Sequence, residues 1–387
     1  MDRALFVASD TGRVVHTRTG YDAFVPAELP PHIDWDNRVV RAVETAARAV
    51  GEMNALMSSD TSGRFFDLLM FKEATGAAFA EGQPAALEEV FTAVATGECV
   101  SRGAQLALNY VSGFRHVEAR LEEMPLSLRL IREVHHLLSR GLEHSGSYPG
   151  EFRRSQNWLG LEGCGLADAT LVPPPVEEMK AALDNWERYL HLTDSFPSLV
   201  KVAILHYQFE IIRPFLEYND MALLAVMPFI LRELGLARQP VPVIAGLLSK
   251  RLQEYQQRML DVCQRGAWNE WLTFYVFGVA GVFHEALDTV ERLSALRVQQ
   301  LDLMQGRSEL AMQSLDAAWH QPVLTVASAS RFTGSPAART APTLGELVDL
   351  GVLEMREQSA GSVYVARDIM AVLEQPPTLS VGYPPFL

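Results

Sequence analysis

Apolar residues return at three- and four-residue intervals through most of this chain, and that spacing commits it to packed amphipathic helices. Val40, Ala42, Val43, Ala46, Ala47 and Val50 form one such stripe, and Met259 and Val262, ahead of the run from Trp268 to Leu287, form another. Strand-like alternation is short: Phe6-Val7-Ala8, Val363-Tyr364-Val365, and a flap hairpin expected between Trp158 and Val172. The spacing therefore predicts a mainly α protein. With 387 residues, 48% of them hydrophobic, there is enough chain for two or three domains with substantial cores.

Charge and cysteine usage narrow the function classes. A formal net charge of −14 disfavours nucleic-acid binding, which depends on clustered Lys and Arg neutralising phosphates, so the expected partner is a protein target or a small molecule. Cys99, Cys164 and Cys263 have no short spacing, which gives neither a disulfide framework nor a zinc cluster and suits a reducing cytoplasm. Asp2, Arg3 and Asp10 interrupt the only apolar stretch near the first residue, so no export signal is expected. Nothing approaches ~18 uninterrupted apolar residues, so no membrane span is expected either.

The densest chemistry lies in His206-Tyr207-Gln208-Phe209-Glu210-Ile211-Ile212-Arg213-Pro214-Phe215-Leu216-Glu217-Tyr218-Asn219-Asp220. This run resembles the signature of the Fic (Fido) family: His-Pro-Phe, an acidic residue, Gly-Asn-Gly-Arg and, three residues later, a second Arg. In that family the His is the general base toward a target hydroxyl, the Gly-rich turn cradles ATP phosphates, the acid holds Mg²⁺, and both Arg bind phosphate. Here Arg213 stands at the His position, Tyr218 and Asp220 at the two Gly, Met221 at the first Arg and Leu224 at the second.

Other segments extend the resemblance. Tyr148 to Gly160 and Ala169 to Pro175 are similar to the family's target-docking flap, and Gly266 to Tyr275 to its closing helices. Phe24-Val25-Pro26, Leu29-Pro30-Pro31, and Lys72-Glu73-Ala74 leading to Ala80-Glu81-Gly82 resemble the N-terminal region of larger members. There, a helix with a Ser/Thr-x-x-x-Glu-Gly motif covers the ATP site. Ala77 takes the Ser/Thr position. The resemblance implies an N-terminal helical region at 1–115 with an inhibitory-type helix near 72–90, a Fic core at 116–300, and a winged-helix-like domain at 306–387.

Residue chemistry at the implied site argues against the implied reaction. Guanidinium keeps its proton above pH ~12 and offers no acceptor, so Arg213 cannot serve as a base near neutrality. It can hold an anion or pair with Glu217 or Asp220. Tyr218 blocks the close backbone approach that glycine permits, and Asp220 puts negative charge where phosphates would lie. ATP and Mg²⁺ are therefore not expected as cofactors. Glu217 still matches the metal-binding acid and Asn219 the central Asn of the nucleotide turn, but one carboxylate without phosphate co-ligands holds Mg²⁺ weakly.

Glu81 has lost its implied arginine to Leu224. It is expected either to pair with Arg213 or to be a solvated helix residue. His206 is readable as a substitute base or as a hydrogen-bonded core ring, and His135-His136 as packing residues. The apolar run Met221 to Ile230 reads either as the wall of a small-molecule pocket or as ordinary core.

The last segment reads as helix from Glu309 to Trp319, a helix begun by Thr325, a turn at Thr333-Gly334, a helix containing Pro342, and a hairpin through Gly351, Gly361 and Tyr364. Five basic and eight acidic residues leave 306–387 at −3, which favours a structural or homodimerising role over DNA binding.

The readings that follow are a non-AMPylating binding or regulatory protein, a Fic fold repurposed for a small-molecule substrate through Arg213 with Glu217, Tyr218, Asp220 and Glu81, and a residual protein adenylyltransferase.

Overall fold

A computed structural model describes residues 1–8, 10–57, 63–99, 101–142, 148–161, 163–358 and 361–375. Two strands open the chain, β1 (Gly12–His16) and β2 (Asp22–Pro26), paired antiparallel. Five helices follow: α1 (Asn37–Leu56), α2 (Gly63–Ala80), α3 (Leu87–Thr96), α4 (Arg102–Arg120) and α5 (Leu128–Leu138). After the flap segment come α6 (Val176–His191), α7 (Ser198–Ile212), α8 (Asn219–Glu233), α9 (Ala245–Arg265) and the long α10 (Trp268–Leu303). The chain continues with α11 (Glu309–His320), β3 (Val323–Leu324), α12 (Val326–Thr333), α13 (Ala337–Asp349), β4 (Glu354–Gln358), β5 (Gly361–Val365) and α14 (Arg367–Glu374). The fold is mainly α, as the periodicity predicts.

Helices α7 and α8 occupy the centre. Every residue of α7 from Leu199 to Ile212 is buried, as are Asn219 and Met221 to Leu231 of α8. A helix apolar all round has no solvent face to offer, so other helices must surround it. Pro228 inside α8 supplies no N–H, which strips the Leu224 carbonyl of its helical donor. The Tyr110 hydroxyl of α4 donates to that carbonyl at 3.2 Å and makes good the loss.

The last elements fall close to where the sequence places them. Thr325 caps α12 in a reciprocal box with Ser328, and α13 runs through Pro342. The small sheet has the order β3-β5-β4. This unit packs back on the first half of the chain: Trp319 lies against Phe65 with centroids 5.5 Å apart, and Arg356 pairs with Glu88. Residues 376–387, part of the expected terminal domain, lie outside the described residues.

Three local expectations are corrected. Phe6-Val7-Ala8 is not a strand: the amides of Val7 and Ala8 both donate to the Gln264 carbonyl instead of to a ladder. Residues 72–90 are not one helix, because α2 ends at Ala80 and Gly82, at φ 72°, turns the chain before α3. The expected flap hairpin reduces to a single bridge between Leu159 and Leu171. Among the described residues no helix is long and apolar enough to cross a membrane.

One buried acid ties α2 to α9. Glu73 accepts a hydrogen bond from the Ala245 amide at 2.6 Å, at the start of α9. The helix terminus favours its charged form, yet burial outweighs that help and raises its pKa to about 8. A carboxyl whose folded pKa exceeds its unfolded one stabilises at low pH, and that contribution is lost as pH rises through about 8. Glu73→Gln, which mimics the neutral acid, is therefore expected to match the wild type in Tm near about pH 5 and to exceed it above about pH 8. Parallel Tm profiles for the two proteins would contradict this.

Candidate functional site

The candidate site is built at the junction of α7 and α8. Its loop begins and ends on two left-handed non-glycine residues, Arg213 at φ 42° and Tyr218 at φ 58°. Such backbone costs on the order of 1 kcal/mol per residue and persists only when neighbours hold it. Asn219 supplies much of that hold: its Oδ1 accepts from the Phe215 amide and its Nδ2 donates to the Phe215 carbonyl, both at 2.9 Å. From the flap side, Arg153 Nε donates to the Arg213 carbonyl at 2.9 Å, and Asn157 Nδ2 donates to the Phe215 carbonyl at 2.8 Å.

His135 of α5 completes the clamp. The Gly150 amide donates to its Nδ1 at 2.9 Å, so Nε2 carries the proton and donates to the Glu217 carbonyl at 3.1 Å. Its ring stacks on Phe215 at 3.9 Å. His135 is thus a packing and positioning residue, as expected, whereas His136 lines a separate open groove with His116 and Glu133.

Inside the loop, one guanidinium meets three carboxyl groups. Arg213 Nη1 lies 3.1 Å from Glu210 Oε2, and Nη2 lies 3.5 Å from Asp220 Oδ2. Burial works against the Arg213 charge, but Asp220, Glu210 and Glu81 outweigh it and its pKa is raised. Glu210 is 1% exposed. Its Oε1 has no hydrogen-bond donor, because the group beside it, Asp220, is another carboxyl. Burial first, and then Asp220, push the Glu210 pKa well above the carboxylate range.

Glu81 behaves similarly, raised to about 8 by burial and then by Asp220, with Arg213 and the Met221 amide only partly offsetting them. That amide donates to Glu81 Oε1 at 3.3 Å. The partner expected for Glu81, Arg213, therefore acts on it electrostatically, while the two close ion pairs of Arg213 go to Glu210 and Asp220.

A cavity of about 420 Å³ opens on this cluster. Glu81, Arg213 and Asp220 line it together with a mixed stretch of α9, where Leu252, Met259 and Leu260 lie alongside Gln253, Tyr255, Gln256 and Gln257, and with Leu159 and Leu171 of the flap. The apolar wall is thus not the run from Met221 to Ile230. Met221 and Leu224 are fully buried in the central core, which is the alternative fate of that stripe.

Other expected site residues separate from the cavity. The Tyr218 hydroxyl accepts from Arg102 Nη2 at 2.6 Å, and its ring tilts toward His135. Both amide atoms of Asn219 are engaged by Phe215, which leaves it structural. Glu217 receives His135 on its backbone carbonyl, and among the described residues no group of three His, Cys, Asp or Glu could hold a metal.

His206 is fully buried in α7, with Nε2 2.8 Å from the Tyr255 hydroxyl and Nδ1 3.0 Å from that of Tyr275. Burial pushes its pKa down to about 3, so it is a neutral core ring that reaches the cavity only through Tyr255.

The ATP phosphates implied by the resemblance do not fit these residues. Their seat would be the first turn of α8, where Glu81 already holds the Met221 amide and Asp220 adds a carboxyl. A triphosphate there would face like charge rather than free donors.

Residues 125–231 match the Fic/DOC family, and the chain therefore carries a Fic domain. Its fold is similar to that of a Fic family protein from Desulfovibrio desulfuricans, at 18% identity over 86% of this chain and 97% of the other, with a TM-score of 0.54. Fic-1 from C. elegans matches at 16% identity over 65% of this chain and 74% of the other, with a TM-score of 0.51. At these identities the likeness is one of fold.

Tyr218 gives a direct test of the loop geometry. Tyr218→Ala and Tyr218→Gly both delete the ring and its bond to Arg102, but only glycine tolerates φ 58° without strain. The glycine variant is expected to be the more stable of the two by about 1 kcal/mol in urea unfolding, the reverse of the order inside a helix. An alanine variant equal to or more stable than the glycine one would refute the strained assignment.

Proposed function

We propose that this Fic-domain protein does not transfer AMP and instead binds a small, largely apolar molecule in the cavity beneath the flap. One observation carries the reading. The groups that would have to receive a triphosphate are already occupied by carboxyls, with Arg213 bridging Glu210 and Asp220, and Glu81 on the start of α8. A guanidinium so placed supplies no base for a target hydroxyl. The cavity, where Glu81, Arg213 and Asp220 meet apolar side chains of α9 and the flap interleaved with Gln253, Gln256 and Gln257, has the make-up of a small-ligand site. Binding there, and the regulation of a partner protein through it, requires no nucleotide.

A second reading is favoured by one further observation. Glu81 lines the cavity with a pKa raised to about 8, a value at which a carboxyl can give or take a proton near neutrality. An enzyme acting on a small-molecule substrate would place Glu81 as acid or base, with Arg213 and Asp220 orienting the substrate.

The protein incubated with labelled ATP and Mg²⁺, alone and with a cell extract, is expected to label neither itself nor any other chain. Transfer that disappears in Glu217→Ala would overturn the reading, because it would show a working metal and nucleotide site.

A further inference from the structure

Three carboxyl groups and one guanidinium meet in a buried volume, and the positive charge present does not balance the negative. With every acid ionised, Arg213 against Glu81, Glu210 and Asp220 would leave an excess of two negative charges, with Glu210 fully buried and Glu81 and Asp220 at the cavity wall. Glu210 Oε1 finds no hydrogen-bond partner, and burial, then Asp220, push its pKa well above the carboxylate range, which favours a proton there. A second resides on Glu81, which unlike Glu210 lines the cavity. Protons held this way are exchangeable for another cation that can enter.

We propose that the cavity takes a cationic amine, whose ammonium seats between Glu81 and Asp220 while its hydrocarbon lies on Leu252, Met259 and Leu260. This rests on the reading of the cavity as a small-ligand site. An ammonium supplies the donors the acids lack, and charge-assisted bonds of this kind are the strong ones. A carboxylate or phosphate ligand meets Asp220, and the Arg213 guanidinium that would attract it is already held by Glu210 and Asp220. A hydrated divalent metal is disfavoured by the adjacent guanidinium, and among the described residues no group of three ligating side chains is formed. The apolar side of the cavity matches an alkyl or aryl amine better than a fully polar one.

The exchange has a definite balance. Neutral Glu81 gives its proton to solvent, the carboxylate accepts the ammonium, and Glu210 keeps its own proton. Groups facing Glu81 are Asp220, Arg213, Glu217 and the Met221 amide, with Tyr218 and Glu210 also within electrostatic range. Tyr255 faces Glu210, Asp220 and Arg213 from α9. Of these, only Glu81 combines a cavity position with a pKa raised to about 8. Amine binding should therefore strengthen as pH rises toward that value and level off beyond it, since an alkylammonium stays charged to roughly pH 10.

The test compares three matched probes, hexylamine, hexan-1-ol and hexanoate, by isothermal titration on the full chain across pH. Hexylamine is expected to bind at least about tenfold more tightly than hexanoate. Its affinity should rise about tenfold per pH unit up to pH about 8, with close to one proton released per amine, as measured in buffers of different ionisation enthalpy. Glu81→Gln, with its fold checked by circular dichroism, should bind hexylamine more weakly and without proton release. Hexan-1-ol binding as tightly as hexylamine would overturn the amine assignment and leave the ligand cavity standing. Saturable binding of none of the three, by titration or by perturbation of cavity resonances in NMR, would overturn both. Wild-type proton release that persists in Glu81→Gln would reject Glu81 as the exchanging group.

Discussion

A guanidinium buried among three carboxyl groups sets the electrostatics of the whole α7–α8 junction. Arg213 cannot leave, because withdrawing it would strand Glu210 and Asp220 against each other in a water-poor interior. Nor does it neutralise them fully, so the acids around it keep protons at pH values where exposed carboxyls have long lost them. At the start of α8 the Met221 amide is taken by Glu81 and Asp220 adds a carboxyl, so the usual attraction of a helix start for an anion is opposed there.

The backbone around that cluster is held independently of it. Asn219, Arg153, Asn157 and His135 together bind the carbonyls and amides from 213 to 217, and they keep two non-glycine residues in left-handed conformations. None of these four needs a ligand to do this. A loop so fully satisfied by the protein holds its shape without a ligand, with Arg213 and Tyr218 at its two ends. The cavity above it follows from the same division of labour: α8 contributes only its first turn, and the hydrocarbon comes from α9 and the flap.

Much of the fold was legible because helical periodicity is a local signal. The capping box at Thr325 and the hairpin near Gly361 are local as well. Phe6-Val7-Ala8 misled because three alternating residues cannot say whether a pairing strand exists. Residues 72–90 misled because Glu81-Gly82 reads as a helical motif, although a glycine at positive φ ends the helix there. At the site, Arg213 and Asp220 were picked out as departures from the motif of the resemblance, and Glu81 as a retained motif residue whose implied partner is Leu224. Glu210 could have been found too, since it lies in the last turn of α7, three residues before Arg213 at the helix end. The Arg102 to Tyr218 contact and the place of Tyr255 on the cavity wall depend on long-range packing, for which a single sequence gives no signal. The fate of the stripe from Met221 to Ile230 was likewise undecidable, because a core helix and a pocket wall are written in the same residues.

The claim beneath all of this is that burial, and then the neighbouring Asp220, hold a proton on Glu81 that Arg213 only partly opposes. Carbon-13 labelling of the glutamate side-chain carboxyls, followed by NMR through a pH titration, reads that directly. Glu73 and Glu81 are both raised to about 8, so the predicted result is two Glu resonances titrating near pH 8, of which one is lost in Glu81→Gln and the other, that of Glu73, stays. If Glu81 instead titrates with the exposed glutamates, near about pH 4.3, no proton is held there and the account fails.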